Sequence, residues 1–215
     1  MKADTDIFTT FEGDNHVLLQ LVSKGLLTEF RSEFTDGGFM SIVRYLSSRL
    51  STSLTEQNPY TIRNTNSEHL LSKDFLLSAF EYQENKLLFS LANRMQNYIK
   101  KRIDPNITYA KVQNHMIALA KASIENFCMK EFYNTVDALE NQELRKGMLR
   151  IAKLYALEYI HEHRGFFLEN DYISGGKSKA IRKQIENLRS KIRPFADVYV
   201  EGLGVPKSLL DAQIL

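Results

Sequence analysis

Leu87-Leu88-Phe89-Ser90-Leu91-Ala92-Asn93-Arg94-Met95-Gln96-Asn97-Tyr98 forms the middle of a longer stretch, Phe75 to Ile103, in which Leu88, Leu91, Met95 and Tyr98 return every three or four positions. That spacing places them on one stripe of an α-helix, because a strand would send successive side chains to opposite faces. Asp104-Pro105-Asn106 ends the stretch, since proline has no N–H to donate and crowds the preceding turn. Downstream the period is repeated. A second helix is expected from about Thr108 to Leu139, with Ile117, Ala120, Ile124 and Phe127 on one face, continued by Phe132 and Val136. Leu144, Met148, Ile151, Tyr155 and Tyr159 mark a third, and Ile181, Ile185, Leu188 and Ile192 a fourth that runs into Pro194. Strand signals are scarce. Four long amphipathic helices joined by short breaks predict an all-α chain, an antiparallel four-helix bundle.

Upstream of the bundle, a helix is expected from Asp14 to Phe34, its apolar face made by Leu19, Val22, Leu26, Phe30 and Phe34, and stopped by Asp36-Gly37-Gly38. A shorter helix spans about Phe39 to Leu50. Ser51 to Asn66, rich in Ser, Thr and Asn and carrying Pro59, reads as a connector. The expected organisation is therefore 1–50, a connector over 51–66, and a helical domain over 67–215.

With 215 residues, 43% of them hydrophobic and 25% charged, the chain can bury a substantial core. A net charge of +2 gives no general argument for nucleic acid or an anionic membrane. The basic run Lys177, Lys179, Arg182, Lys183, Arg189, Lys191 and Arg193 is interrupted by Glu186 and shares its helix with a normal apolar face. It reads as a solvated face, with strongly salt-dependent binding as the test of a nucleic-acid alternative. Tyr172 and the aromatics Phe80, Phe89, Phe127 and Phe132 read as packing residues. The single cysteine, Cys128, excludes an intrachain disulfide and is expected to be a buried structural thiol. The N-terminus lacks the apolar core of a signal peptide, and no segment approaches about 18 uninterrupted apolar residues, so neither secretion nor a membrane span is expected.

Five histidines offer no metal site: His161 and His163 stand two apart, on diverging directions of a helix, and His161-Glu162-His163-Arg164 is not HExxH. No GxSxG elbow, P-loop or GxGxxG is present. The chemistry-bearing candidate is Thr9-Thr10-Phe11-Glu12-Gly13-Asp14-Asn15, which breaks directly into the apolar run from His16. It sets a carboxylate one residue before a glycine, at a turn opening a helix whose free N–H groups make the surroundings positive. Asp14 and Asn15 are equally ordinary helix-start residues.

This motif resembles that of the FAD-dependent acyl-CoA oxidases and their acyl-CoA dehydrogenase relatives. The resemblance continues, in the family's order, through Ala79-Phe80-Glu81-Tyr82, Val112-Gln113-Asn114-His115, His163-Arg164-Gly165-Phe166-Phe167-Leu168-Glu169, and Arg193-Pro194-Phe195-Ala196 to Gly204-Val205-Pro206. It implies the C-terminal part of an acyl-CoA oxidase, with 1–50 closing the flavin-side helical domain. Glu12 stands at the family's catalytic base, and Gly13, Asp14 and Asn15 stand beside FAD. The implied reaction desaturates acyl-CoA to trans-2-enoyl-CoA, with O2 as electron acceptor and H2O2 as product, in a homodimeric parent active in fatty-acid β-oxidation. Phe11 and Asp14 are more similar to the oxidase branch, because the dehydrogenase branch commonly has tyrosine and threonine there. FAD would be bound without a Rossmann fingerprint, completed by parts beyond this chain, so the chain alone is expected to be inactive. Gln213-Ile214-Leu215 is not a Ser-Lys-Leu type address, which favours a bacterial cytoplasm, with the peroxisomal matrix as the alternative. Two other readings are a non-catalytic helical interaction or dimerisation module, and a dehydrogenase that uses another electron acceptor.

Overall fold

A computed structural model describes residues 15–32 and 59–205. The expected helix over 39–50, the stop at Asp36-Gly37-Gly38, the side chains of Phe30 and Phe34, Pro206 and most of the connector lie outside the described residues.

The described residues are helical, with no strand among them. Helix α1 (Asn15–Ser32) is followed by two short helices, α2 (Pro59–Arg63) and α3 (Ser67–Leu70). The four long helices of an antiparallel bundle come next: α4 (Lys73–Lys100), α5 (Pro105–Asp137), α6 (Gln142–Glu162) and α8 (Gly175–Ile192). The short α7 (Arg164–Glu169) links α6 to α8, and a 3-10 turn, Arg193–Phe195, leads into α9 (Ala196–Gly202). Each long helix begins at a residue that can cap it. Ser72 accepts from the N–H of Phe75, Asp104 from Asn106 and Ile107, Asn141 from Glu143 and Leu144, and Ser174 from Lys177. Each cap satisfies donors that the helix cannot pair itself. Proline at position 105 thus opens α5 rather than merely closing α4, as a first-turn proline with pre-set φ does. The break between them is made at Arg102, which turns with φ 53°.

Two cores stabilise the bundle. The larger is aromatic: Tyr82 stacks on Tyr172 at 4.4 Å, Phe80 stacks on Tyr159 at 4.5 Å, and Phe167 meets Tyr172 at 5.5 Å. Burial of each such ring contributes about 1.5–3 kcal/mol. Tyr172 and Phe80 are buried as the sequence suggests. The smaller core lies at the other end of α4, where Leu91, Val112, Met116 and Leu119 are covered by Leu88, Met95 and Tyr98. This is the stripe legible between Leu87 and Tyr98. At the far end, Asp137 ties three helices together, bonding Lys73 at 2.5 Å and Arg145 at 2.9 Å.

On α5 and α6 the buried face is rotated from the expected one. The buried residues of α5 are Thr108, Val112, Met116, Leu119, Ala120, Ala122, Asn126, Met129, Tyr133 and Val136, so Ala120 and Val136 are buried as expected, whereas Ile124 and Phe127 are 41% and 66% exposed. On α6, Ala152, Ala156, Tyr159 and Ile160 turn inward, while Leu144 and Tyr155 are exposed. Alanine faces let the helices approach closely, and a count of bulky residues does not register them. Cys128 follows the same rotation: it is exposed, not buried. Phe89 and Phe132 are half-buried.

Candidate functional site

Of the motif residues, Glu12, Gly13 and Asp14 lie outside the described residues, and Asn15 is the exposed first residue of α1. The structure shows how the bundle holds the helix directly after the motif. Leu26 and Leu27 pack on the smaller core. Ser23, fully buried, donates its hydroxyl to the Met116 carbonyl of α5, and Gln20 is 8% exposed beside it. The small Ser23 brings α1 close to α5, which turns Gln20 and Ser23 inward. Val22, expected on the inner face, is therefore exposed, together with Val17, Leu18 and Leu21. The first turn of α1, Asn15, His16, Val17 and Leu18, is exposed.

Elsewhere the chemistry-bearing side chains serve packing or form one groove. Lys177 does not belong to a solvated face. It is fully buried, its ammonium donates to the Thr61 carbonyl at 3.0 Å, and it lies 4.0 Å from the ring centre of Phe75. Nε2 of His69 lies 3.0 Å away, so the neutral imidazole presents a lone pair to the ammonium. Burial, then the Lys177 charge, hold the His69 pKa below its ordinary value. The N–H of Ser174 donates to the Ile62 carbonyl at 3.1 Å, so Pro59–Arg63, part of the expected connector, is a helical turn docked on α8. His115 bonds the Leu87 carbonyl through Nε2 at 3.1 Å, and burial lowers its pKa despite that bond. Among the described residues no three His, Cys, Asp or Glu side chains gather as a metal site would require. None of the described helices is long and apolar enough to cross a membrane.

A groove of about 470 Å³ opens between α5 and α6, lined by Glu125, Tyr155, Glu158, Tyr159, Glu162 and His163, with Lys121 and Ile124 on its α5 side. Tyr155 donates its hydroxyl to Glu125. Burial first, and that carboxylate second, push the Tyr155 phenol up to about 12, so it stays protonated throughout the neutral range. Sequence reading did not single out this groove, because its residues belong to two helices and share no local spacing.

The family model described as acyl-CoA oxidase matches residues 72–214, from the start of the bundle almost to the end of the chain. The chain belongs to the acyl-CoA oxidase family. It is similar to acyl-coenzyme A oxidase 2, peroxisomal, of Arabidopsis thaliana, with 32% identity over 214 residues, covering 100% of this chain and 31% of that protein. An acyl-coenzyme A oxidase-like protein of Mus musculus is 27% identical, over 96% of this chain and 32% of that protein. The chain thus spans about a third of the length of these acyl-CoA oxidase relatives. Among solved structures, acyl-CoA oxidase 3 from Yarrowia lipolytica superposes with a TM-score of 0.76 at 20% identity, over 94% of this chain and 28% of that one. That likeness confirms the helical acyl-CoA oxidase fold. These relatives are eukaryotic and lend no support to the bacterial source expected from the chain's last residues.

Proposed function

We propose that the chain supplies the C-terminal portion of an FAD-dependent acyl-CoA oxidase that desaturates acyl-CoA to trans-2-enoyl-CoA, with Glu12 as the general base. Membership of the family, with the Phe11-Glu12-Gly13-Asp14-Asn15 motif running directly into a helix clamped on the bundle, carries this reading. In it, the bundle is a foundation for α1. Leu26, Leu27 and Ser23 fix the axis of α1, the helix that follows the motif in the chain. Glu12 takes the α-proton of the thioester through a carboxylate oxygen, a task that requires hydrogen-bond reach and a pKa near the working pH. FAD, held beside Gly13, Asp14 and Asn15 and by parts beyond this chain, would supply acceptance of the β-hydrogen as hydride, with O2 as the electron acceptor and H2O2 as the product. Gly13 lets backbone approach closely, having no Cβ. Asp14 and Asn15 serve as the FAD neighbours, consistent with the exposed amide of Asn15 at the helix mouth.

The names of the relatives favour an oxidase over a dehydrogenase and the peroxisomal matrix over the cytoplasm. The parent acts as a homodimer in this reading. The chain alone, spanning about a third of such relatives, holds FAD weakly and does not turn over acyl-CoA. The test is a parent reading frame extended upstream of residue 1, purified and assayed for flavin absorbance and for peroxide from palmitoyl-CoA. Glu12→Gln should retain flavin and lose turnover by a factor of about 100 or more; turnover kept by the variant overturns the assignment of the base.

A further inference from the structure

The turn joining α4 to α5 stands at the opposite end of these helices from the Asp137 tie and takes no part in the proposed reaction. Around it stand Arg94, Lys100, Lys101, Arg102 and Lys111, and between residues 94 and 111 there is one carboxylate, Asp104. Asp104 is already engaged, capping α5 by accepting from the N–H of Asn106 at 2.8 Å and of Ile107 at 3.4 Å. The five cations are exposed, and none of them makes an ion pair among the described residues. Three converge on Tyr98. Arg94 donates to its hydroxyl at 3.3 Å, and the Lys111 ammonium lies 5.6 Å from its ring centre. The Arg94 hydrogen bond, then the charges of Arg94, Lys111 and Lys101, lower the pKa of that phenol despite its partial burial. Apolar side chains share this surface. Ile99 is 67% exposed beside Lys100, and Ile107, 51% exposed, stands one turn ahead of Lys111 on the same face of α5.

A helix C-terminus favours cations, but that gives no reason for Ile99 and Ile107 to face water beside them. A nucleic acid answers the charge and leaves the isoleucines exposed. An anionic bilayer answers both, because its headgroups attract Lys and Arg while its interfacial layer takes the aliphatic side chains between them. The net charge of +2 conceals this local excess of cations. None of the described helices can span a bilayer, so the contact is peripheral. We propose that the turn between α4 and α5 is a membrane-docking surface for anionic phospholipid. Lys100, Lys101 and Arg102, with Arg94 and Lys111 beside them, engage the headgroups, and Ile99 and Ile107 enter the interfacial layer.

The chain contains no tryptophan, so Ile107→Trp places a single reporter at the turn. The full chain is mixed, at physiological salt, with vesicles of phosphatidylcholine alone or with about one-third phosphatidylserine, following co-sedimentation and the reporter's emission. Saturable binding to the anionic vesicles is expected, with a blue shift of the reporter and a loss of affinity as salt is raised. Lys100→Gln, Lys101→Gln and Arg102→Gln combined should weaken it about a hundredfold, at about fivefold per cation. Ile99→Ser with Ile107→Ser should weaken it about tenfold. Arg182→Gln with Lys183→Gln, which removes two exposed cations of α8, should leave binding unchanged, and circular-dichroism melts confirm that each variant is folded. The proposal is overturned by equal binding, or none, to the two kinds of vesicle, and by binding without a reporter shift. It is overturned equally if the α8 pair weakens binding as much as the turn cations do. A DNA duplex that displaces the chain from the vesicles at equal phosphate concentration, with an affinity the isoleucine substitutions do not change, overturns it in favour of a nucleic-acid surface.

Discussion

Replacing Lys177 with methionine isolates what the buried ammonium contributes, because the stem volume is nearly kept while donors and charge are removed. The wild-type group faces the Thr61 carbonyl and His69 Nε2, each at 3.0 Å, and the Phe75 ring at 4.0 Å. A hydrogen bond to a charged group contributes about 1.5–3 kcal/mol, and leaving a buried acceptor empty costs about 1–3 kcal/mol. Against this stands the desolvation penalty of a buried ion, which is several kcal/mol and disappears with the charge. The bonds outweigh it here because the acceptors lie on separate segments, Pro59–Arg63 and Ser67–Leu70, which Lys177 ties to α8. A net loss of about 2 kcal/mol is expected, which for a chain of this size lowers Tm by about 4–8 °C. Calorimetry measures the loss. Amide hydrogen exchange locates it: protected amides between residues 61 and 72 should exchange about 30-fold faster if the opening is local. A variant as stable as wild type, with unchanged exchange in that segment, refutes the assignment of Lys177 as the tie.

Two further perturbations test the same interior. His69 and His115 both have pKa values held below the ordinary histidine value by burial, so the unfolded chain binds these protons more readily than the folded one. Their contribution to stability is full above the unfolded value of about 6.5 and is lost as pH falls through the lower folded values. Urea midpoints should therefore decline between about pH 7.5 and 5.5, and His115→Gln should flatten the decline; a flat profile in wild type contradicts the shift. Cys128 is exposed on α5, so one equivalent of a thiol reagent should react with the native chain as fast as with the urea-unfolded chain, and protection until unfolding would show the thiol to be inside.

The sequence made the number and order of the long helices legible for a simple reason: apolar periodicity and breaks are local, and the caps found in the structure are local as well. Ser72, Asp104-Pro105, Asn141 and Ser174 each act on backbone groups within three residues, and each stands where its helix begins. The matched family segments were legible for a different reason, since Ala79, Phe80, Tyr82, Val112 and Phe167 are all buried. They record how the bundle packs and say little about chemistry. Which face of a helix turns inward is not a local property when two apolar stripes compete. On α5 the stripe through Ile124 and Phe127 is bulkier than the one through Leu119, Ala122 and Asn126, and bulk decided the reading. Packing instead favoured the stripe that lets helices come close, because contact distance sets how much dispersion and area burial are gained.

The same rotation explains why the groove was invisible in the sequence. Once small residues face the core, Ile124, Glu125 and Tyr155 are carried to the seam between α5 and α6, where Tyr159 supplies the floor. Lys177 gives the converse case. It stands within a basic run that reads as solvated, yet Ile181, Ile185 and Leu188 continue its line along α8 into the core at intervals of three or four. A lysine four residues ahead of such a stripe shares its face, so the helical period itself foretold an inward ammonium. The identity of its acceptors, a carbonyl and an imidazole more than 100 residues away in the chain, required the fold.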